Sequence, residues 1–354
     1  MATVSARWPT LIITVCLVLC IQSIAANKTS VPALLVFGDS TSDPGNNNYI
    51  HTVLKSNFPP YGRDFIDHHA TGRFCNGRLA TDFIAEGLGV KKTVPPYLHP
   101  NLSPQDLVTG VSFASAGTGY DNLTASILNV IPMWKEIEYF KEYQLLLKQM
   151  FGEQRASNVI NKALYLISTG SNDFIENFLQ IPIRRLQFSP SEYVDFLIDI
   201  ADSFIKELYS LGARRILVAG LPPIGCLPLL RTMNVLGLGQ CMEEYNDIAL
   251  HYNGELQTTI ENLSHKLPGL VTVYGDIYKI TYEAIFNPTK YGFEEVAKAC
   301  CGSGTIEVGY LCNELIPSCR DASTFVFWDS VHPTERLYKM VANNLLQSLI
   351  PRLL

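Results

Sequence analysis

The chain has 354 residues, enough for one large domain or two modest ones with a sizeable core. Hydrophobic residues make up 47% and charged residues 17%, a composition that excludes wholesale disorder. The net charge is −6 and no run of five like charges occurs, so the sequence predicts no nucleic-acid partner.

The N-terminal segment differs from the rest of the chain. Arg7 is its only charged side chain before Lys28, and an apolar run, 11–21, lies between them and is followed by small residues. This pattern predicts a signal peptide, 1–25, rather than a retained membrane anchor, because the run is shorter than the roughly 20 residues of a span. The remaining chain, 26–354, is predicted to be one secreted domain without a stable transmembrane anchor.

Short apolar runs then alternate with longer patterns at helical spacing. The runs predict strands over 33–37, 108–114, 163–168, 215–220 and 271–275, with a short sixth at 324–327. The helical patterns cover 133–150, 194–211 and 242–266. Strands that are separated by helices cannot pair as hairpins, so the sequence predicts an α/β fold with a mainly parallel sheet covered on both faces.

Cysteine positions suit an oxidising compartment. Of the nine cysteines, Cys16 and Cys20 fall in the predicted signal peptide, and six of the remaining seven lie in the C-terminal half. We expect Cys226 to pair with Cys241 and Cys75 to stay unpaired. The second cluster comprises Cys300, Cys301, Cys312 and Cys319. Disulfides are the favoured reading of this cluster; a zinc cage is the alternative, although the paired CxxC motif of many zinc sites is absent.

Glycosylation suits the same secretory route. Sequons begin at Asn27, Asn101, Asn122 and Asn262. His68 and His69 lie beside Asp64 and Asp67, but no further spaced ligand set accompanies them, so we predict a solvated loop and no metal site. No nucleotide-binding glycine motif occurs, and we predict no cofactor.

Polar residues follow the ends of the predicted strands, where open α/β sheets bind their ligands. Ser40 follows the first strand, Gly117 the second and Asn172 the third, while Asp329 and His332 follow the last short run. They supply a hydroxyl, a backbone donor, a carboxamide, a carboxylate and an imidazole. This set is suited to acyl transfer through a covalent serine intermediate. The long polar loop that follows Ser40 is also expected to be functional.

Three motifs in this order carry a family resemblance. They are Phe-Gly-Asp-Ser ending at Ser40, Gly-Ser-Asn-Asp beginning at Gly170, and Asp-x-x-His-Pro beginning at Asp329. With them, and with a Cys-Cys-Gly element, the mature chain resembles the plant GDSL esterase/lipase family of the SGNH hydrolase superfamily. Thr41 replaces the leucine of the family's name, at a position that supplies no catalytic group. The resemblance implies a flavodoxin-like SGNH hydrolase fold, a three-layer α/β/α sandwich with a mainly parallel five-stranded sheet.

The resemblance also assigns roles to individual residues. It implies that Ser40 is the nucleophile, His332 its base and Asp329 the acid that orients the imidazole. It further implies an oxyanion hole built from the backbone N–H groups of Ser40 and Gly117 and the amide of Asn172. Alternative candidates for the oxyanion glycine are Gly77 and Gly119.

The expected function is therefore a serine esterase/lipase that hydrolyses ester bonds of lipids or acylated small molecules. The expected location is extracellular, in the apoplast or cell wall. Acyl transfer and hydrolysis of a cell-wall polysaccharide ester use the same three residues and remain open. A secreted binding glycoprotein without turnover is the alternative from a different class. No Gly-x-Ser-x-Gly elbow occurs, which disfavours the ordinary α/β-hydrolase fold.

Overall fold

A four-stranded parallel sheet lies at the centre of residues 31–353, the part of the chain that this computed structural model describes. The predicted signal peptide and the sequon at Asn27 lie outside these residues. The strands, adjacent in this order, are β1 Leu34–Gly38, β2 Leu164–Ser168, β3 Arg215–Ala219 and β4 Val271–Gly275. Their positions confirm four of the predicted strands.

An extended segment, 111–115, takes the place of a fifth strand on the free side of β1. The N–H of Phe113 donates to the carbonyl of Val36 at 2.8 Å, and the N–H of Val36 donates to the carbonyl of Val111 at 3.1 Å. The side-chain amide of Asn46 binds the carbonyls of Ser112 and Ala114, on the edge of the segment that faces away from β1, at 2.9 and 2.8 Å. The fifth strand of the predicted sheet is therefore present only as this irregular edge.

The prediction of a strand over 108–114 is wrong for its first residues, which end a short helix, Pro104–Thr109. Ser103 caps this helix by accepting the N–H of Asp106 at 3.1 Å, and the Asp106 carboxylate accepts the N–H of Ser103 at 3.1 Å. This reciprocal cap, followed by a proline in the first turn, outweighs the apolar run.

Helices follow or precede each strand. They are α1 Ala80–Gly87, α2 Pro104–Thr109, α3 Asn122–Leu128, α4 Met133–Phe151, α5 Glu153–Lys162, α6 Pro190–Ser210, α7 Pro228–Met233, α8 Glu243–Lys266, α9 Ile277–Phe286, α10 Pro288–Tyr291 and α11 Glu335–Ser348. A π-helix, Asp173–Gln180, follows β2. The helices predicted at 133–150, 194–211 and 242–266 are confirmed as α4, α6 and α8.

Successive side chains of the strands pack against helices on opposite faces of the sheet. Phe37 contacts Phe140 of α4 and Phe204 of α6, with ring centroids 5.7 and 5.8 Å apart. Val36, one residue earlier, packs in a separate cluster with Ile84 of α1 and with α11. The two clusters make a three-layer α/β/α sandwich, as predicted.

A second, two-stranded sheet supports the C-terminal part of the fold. It pairs β5 Glu295–Ala299 with β6 Phe325–Phe327 in parallel. β6 confirms the short strand predicted at 324–327. The sequence pattern missed β5, because its charged residues interrupt any apolar run.

Three disulfides close loops in the C-terminal half. They join Cys226 to Cys241, Cys300 to Cys319 and Cys301 to Cys312. The first confirms the expected local pair, and the other two rule out the zinc cage because they use all four of its sulfurs. Cys75 is buried and unpaired, as expected. Within residues 31–353, no helix has the length and apolar character needed to cross a membrane.

Candidate active site

Ser40 lies in a tight turn at the carboxyl end of β1. Gly38 begins this turn with φ of 129°, and a Cβ there would lie 1.9 Å from the carbonyl oxygen of Ser168. Glycine is therefore required for the turn to pass this close to β2. The N–H of Gly38 donates to the buried carboxyl group of Glu136 at 2.9 Å, which holds the turn against α4.

The structure brings Ser40, His332 and Asp329 together in one hydrogen-bonded chain. His332 Nε2 lies 2.7 Å from Ser40 Oγ, and His332 Nδ1 lies 2.8 Å from both carboxylate oxygens of Asp329. Asp329 Oδ1 also accepts the backbone N–H groups of Val331 and His332, at 3.0 and 2.7 Å. A proton on Nδ1 satisfies the carboxylate and leaves Nε2 free to accept the serine proton.

Tyr61 extends this chain and was missed by the sequence pattern. Its hydroxyl donates to Asp329 Oδ2 at 2.7 Å and accepts the N–H of Gly309 at 2.9 Å. Burial raises the pKa of Tyr61 well above its ordinary value, so the phenol keeps its proton and acts as a donor to the carboxylate. In the sequence, the only indication of a role for Tyr61 was its position in the long polar loop after Ser40, which was expected to be functional as a whole.

The candidate oxyanion donors surround the same serine. Among the described residues, no acceptor is bound to the backbone N–H groups of Ser40 and Gly117. One N–H of the Asn172 amide donates to the carbonyl of Thr118 at 2.9 Å, which orients the amide and leaves its second N–H for a ligand. The alternative glycines do not line this cleft: a Cβ at Gly119 would meet Asp173, and one at Gly77 would meet Glu335.

Two buried acids hold the loops that carry these donors. Asp43 accepts the N–H of Ala116 at 3.0 Å and so ties the loop after Ser40 to the loop around Gly117. Asp173 accepts the N–H of Tyr120 at 2.8 Å and the hydroxyl of Thr124 at 2.6 Å. These partners lie about fifty residues earlier in the chain.

Burial favours the protonated form of these acids. It raises the pKa of Asp43 to about 6 and that of Asp173 to about 7. It also raises the pKa of Asp39 to about 6, although Asp39 accepts both the backbone N–H and the hydroxyl of Thr41. A raised pKa means that the folded protein binds these protons more tightly than the unfolded chain. Their contribution to stability is therefore fully present at low pH and is lost as the pH rises through about 6 to 7.

Ser40 opens onto a cleft, here called the serine cleft, with a volume of about 180 Å³. His332, Gly117 and Asn172 also line it. The rest of its wall is mainly apolar and includes Leu54, Phe74, Ile175, Leu229 and Val308. An ester carbonyl placed here would meet the serine oxygen and the oxyanion donors together, with apolar groups on either side.

A second cavity, here called the inner cavity, is also lined by Ser40 and His332. Its volume is about 100 Å³. Strand and helix side chains form its apolar wall, including Leu166, Leu217, Leu337 and Val341. Ser40 thus borders two largely apolar spaces.

Other residues singled out in the sequence lie away from this site. Asn101, Asn122 and Asn262 are all exposed, as attachment of a glycan requires, and glycosylation stays a prediction. His68 lies in a short turn, where its Nδ1 contacts the carbonyl of Arg63. Within residues 31–353, no three His, Cys, Asp or Glu side chains are placed to hold a metal ion together.

Comparisons with known proteins agree on a family. The family model described as GDSL-like Lipase/Acylhydrolase matches residues 34–345. GDSL esterase/lipase At2g04570 of Arabidopsis thaliana is 48% identical over 342 residues, which are 96% of this chain and 98% of the relative. GDSL esterase/lipase At4g26790 of the same plant is 51% identical over 317 residues, 89% of this chain and 90% of the relative.

Similar solved structures are more distant. A catalytic mutant of the acetylxylan esterase Axe2 from Geobacillus stearothermophilus is 16% identical, with a TM-score of 0.42 over 90% of this chain and 94% of that one. LAE5, an α/β hydrolase enzyme from the Lake Arreo metagenome, is 11% identical with a TM-score of 0.41 over 89% of this chain and 93% of that one. The sequence relatives and the family model, which span nearly the whole described chain, show that it belongs to the GDSL-like lipase/acylhydrolase family.

Proposed function

We propose that this protein is a secreted serine esterase that hydrolyses carboxylic esters of lipids or acylated small molecules through an acyl-serine intermediate. The observation that carries the proposal is the unbroken hydrogen-bonded chain from Ser40 through His332 to Asp329. The names of the curated relatives, which are esterase/lipases, support the same reaction class.

The first half of the proposed reaction forms the acyl-enzyme. Ser40 Oγ attacks the ester carbonyl while His332 Nε2 takes its proton, because a serine hydroxyl is a weak nucleophile near neutral pH. The negative charge on the carbonyl oxygen is met by the N–H groups of Ser40 and Gly117 and by the free N–H of Asn172. His332 then gives its proton to the departing alcohol oxygen, and the ester C–O bond breaks.

The second half returns the enzyme to its starting state. A water molecule loses a proton to His332 as it attacks the acyl-serine carbonyl, and the same donors stabilise the second oxyanion. His332 returns the proton to Ser40 Oγ as the carboxylic acid leaves. Asp329, held by Tyr61 and two backbone N–H groups, stabilises the imidazolium that forms in each half.

The walls of the site favour an uncharged, largely apolar ester. Among the described residues that line the serine cleft and the inner cavity, none is a lysine or arginine. The two largely apolar spaces that Ser40 borders offer places for an acyl chain and for the alcohol part of the ester. Lipids and acylated small molecules both meet this requirement.

Substitution of the candidate nucleophile tests the proposal. We expect Ser40→Ala to lose at least about 10³-fold in hydrolysis of p-nitrophenyl esters, because no other group forms the acyl-enzyme. Its melting temperature should match that of the wild type. A serine-directed phosphonate should label the wild type at Ser40 and leave the variant unlabelled. A wild type that hydrolyses no acyl length and takes no label would contradict the proposal.

Secretion is part of the proposal and has a separate test. The three disulfides support an oxidising compartment. We expect protein collected from the medium of a plant expression host to begin at Ala26 and to lose mass on deglycosylation. An intracellular product that retains residues 1–25 would contradict it.

A further inference from the structure

One polar side chain on the wall of the serine cleft has no part in the proposed reaction. Glu176 lies on the π-helix, four residues after Asn172, and among the described residues that line the cleft it carries the sole carboxyl group. Its Oε2 atom is buried without a hydrogen-bond partner. Its backbone carbonyl accepts the N–H of Ile181 at 2.8 Å, at the end of the π-helix.

A purely structural role does not account for this side chain. A buried polar atom without a partner destabilises the fold, and an apolar residue of the same size would avoid that cost. Ile175, Gln180 and Ile181 line the wall beside it, and none of them bonds its Oε2 atom. The side chain as a whole is half-buried and lines the cleft, so a ligand there can reach the carboxyl group and supply a hydrogen bond to it.

The protonation state narrows the chemistry of that ligand. Burial raises the pKa of Glu176 to about 8, and the nearby carboxyls of Asp173 and Asp39 act in the same direction. His332 is the other titratable side chain on the cleft wall among the described residues. Glu176 is therefore an uncharged acid at neutral and acidic pH, with one O–H donor and one carbonyl acceptor. This pair is complementary to a hydroxyl group.

We propose that Glu176 is a specificity residue that binds a hydroxyl group of the substrate, so that the preferred esters carry a hydroxyl near the ester bond. The inference rests on the proposed esterase function and names the class of ester. The hydroxyl belongs either to the alcohol part, as in a partial ester of a polyol, or to the acyl chain, as in a hydroxy acid.

Matched esters test the inference and separate the two sources. Ethyl hexanoate is the reference, 2-hydroxyethyl hexanoate places a hydroxyl on the alcohol, and ethyl 3-hydroxyhexanoate places one on the acyl chain. We expect one of the two hydroxylated esters to be favoured in kcat/KM by about 10- to 100-fold, because the plain ester leaves the buried acid unpaired. Ratios near one for both hydroxylated esters would overturn the inference.

Variants assign the preference to Glu176. Glu176→Leu should bring the favoured ratio close to one, whereas Glu176→Gln, which keeps an uncharged donor and acceptor, should retain most of it. The same change at exposed Glu255 of α8, Glu255→Leu, is the control and should keep both the rate and the ratio. A full ratio in Glu176→Leu, or its loss in the control, would refute the assignment.

Two further measurements keep the outcomes distinct. Choline hexanoate should be a poorer substrate than 2-hydroxyethyl hexanoate; the reverse order would mean that the group is a carboxylate that binds cations, and the inference would fail. Phosphonate titration of Ser40 in each sample reports the fraction of working sites. Failure of the esterase function itself would appear as no labelling and no hydrolysis of any ester, whereas failure of this inference leaves both intact.

Discussion

Replacing Tyr61 by phenylalanine tests how the proposed acid is held. Asp329 is completely buried, and Tyr61→Phe removes the hydroxyl that donates to its Oδ2 at 2.7 Å while keeping the ring. The same change leaves the N–H of Gly309 without its acceptor at 2.9 Å. The substitution therefore changes one charge-assisted bond and one neutral bond at the base of the site.

The expected size of the effect follows from these two bonds. A hydrogen bond to a charged group contributes about 1.5–3 kcal/mol, and an unsatisfied buried N–H costs about 1–3 kcal/mol. Because one hydroxyl serves both, we expect the free energy of unfolding to fall by about 2–4 kcal/mol in total. With an unfolding entropy of about 2.1 cal/mol/K per residue, the melting temperature of a domain of this size falls by about 3–6 °C.

The turnover number kcat is the measurement that would not change if Tyr61 had only a structural role. In the proposed mechanism, Asp329 stabilises the imidazolium that forms at His332 in the transition states. We expect kcat to fall about tenfold, equivalent to about 1.4 kcal/mol, with KM nearly unchanged. Steady-state kinetics on p-nitrophenyl butyrate, corrected by phosphonate titration for working sites, measures the split.

A second buried tyrosine provides the control. Tyr143 donates its hydroxyl to the carbonyl of Leu107 at 2.6 Å, within the core and away from the cleft. Tyr143→Phe should lower the free energy of unfolding by about 1 kcal/mol and leave kcat unchanged. If Tyr61→Phe keeps the wild-type kcat, or if both variants lose kcat equally, Tyr61 does not position Asp329.

Three further predictions address the oxyanion hole, the buried acids and the disulfides. Asn172→Ala should lose about 10²–10³-fold in kcat with little change in KM, and a loss below threefold would remove its amide from the oxyanion hole. Because burial raises the pKa of Asp43 to about 6 and of Asp173 to about 7, the melting temperature should fall from about pH 4 to about pH 7 in a thermal scan. A melting temperature that stays constant or rises over this range would contradict the raised pKa values of these acids. Replacing Cys301 and Cys312 by alanine opens the loop that carries Gly309, whose N–H donates to the Tyr61 hydroxyl. We expect a loss of about 2–4 kcal/mol in unfolding free energy, and an unchanged denaturation midpoint would contradict it.

Much of the fold could be predicted because it is encoded locally. Four strands of the main sheet are nearly continuous apolar runs, and α6 and α8 repeat apolar residues at helical spacing. The predicted strand at 108–114 failed where another local signal, the cap at Ser103 with its following proline, overrode the apolar run. β5 was missed because its charged residues interrupt the apolar pattern. The small sheet tolerates them because it leaves most of the strand partly exposed.

The identities and the order of the site residues were readable from the sequence, because each follows a strand whose end is set by local pattern. Ser40 and Asn172 stand directly after β1 and β2, and the spacing of Asp329 and His332 lets one turn of chain join them. The carboxyl ends of parallel strands meet at one edge of a sheet, which is why residues so distant in sequence were expected together.

Only the tertiary structure revealed the groups that surround Ser40, His332 and Asp329. Tyr61 contacts Asp329 across 268 positions, and Asp43 reaches Ala116 across 73, in loops without periodic pattern. The place of Glu176 on the wall of the serine cleft likewise depends on contacts between distant segments. Periodicity and capping are properties of neighbouring residues, whereas hydrogen bonds between loops and the desolvation of a carboxyl group depend on packing between segments that the local sequence does not specify.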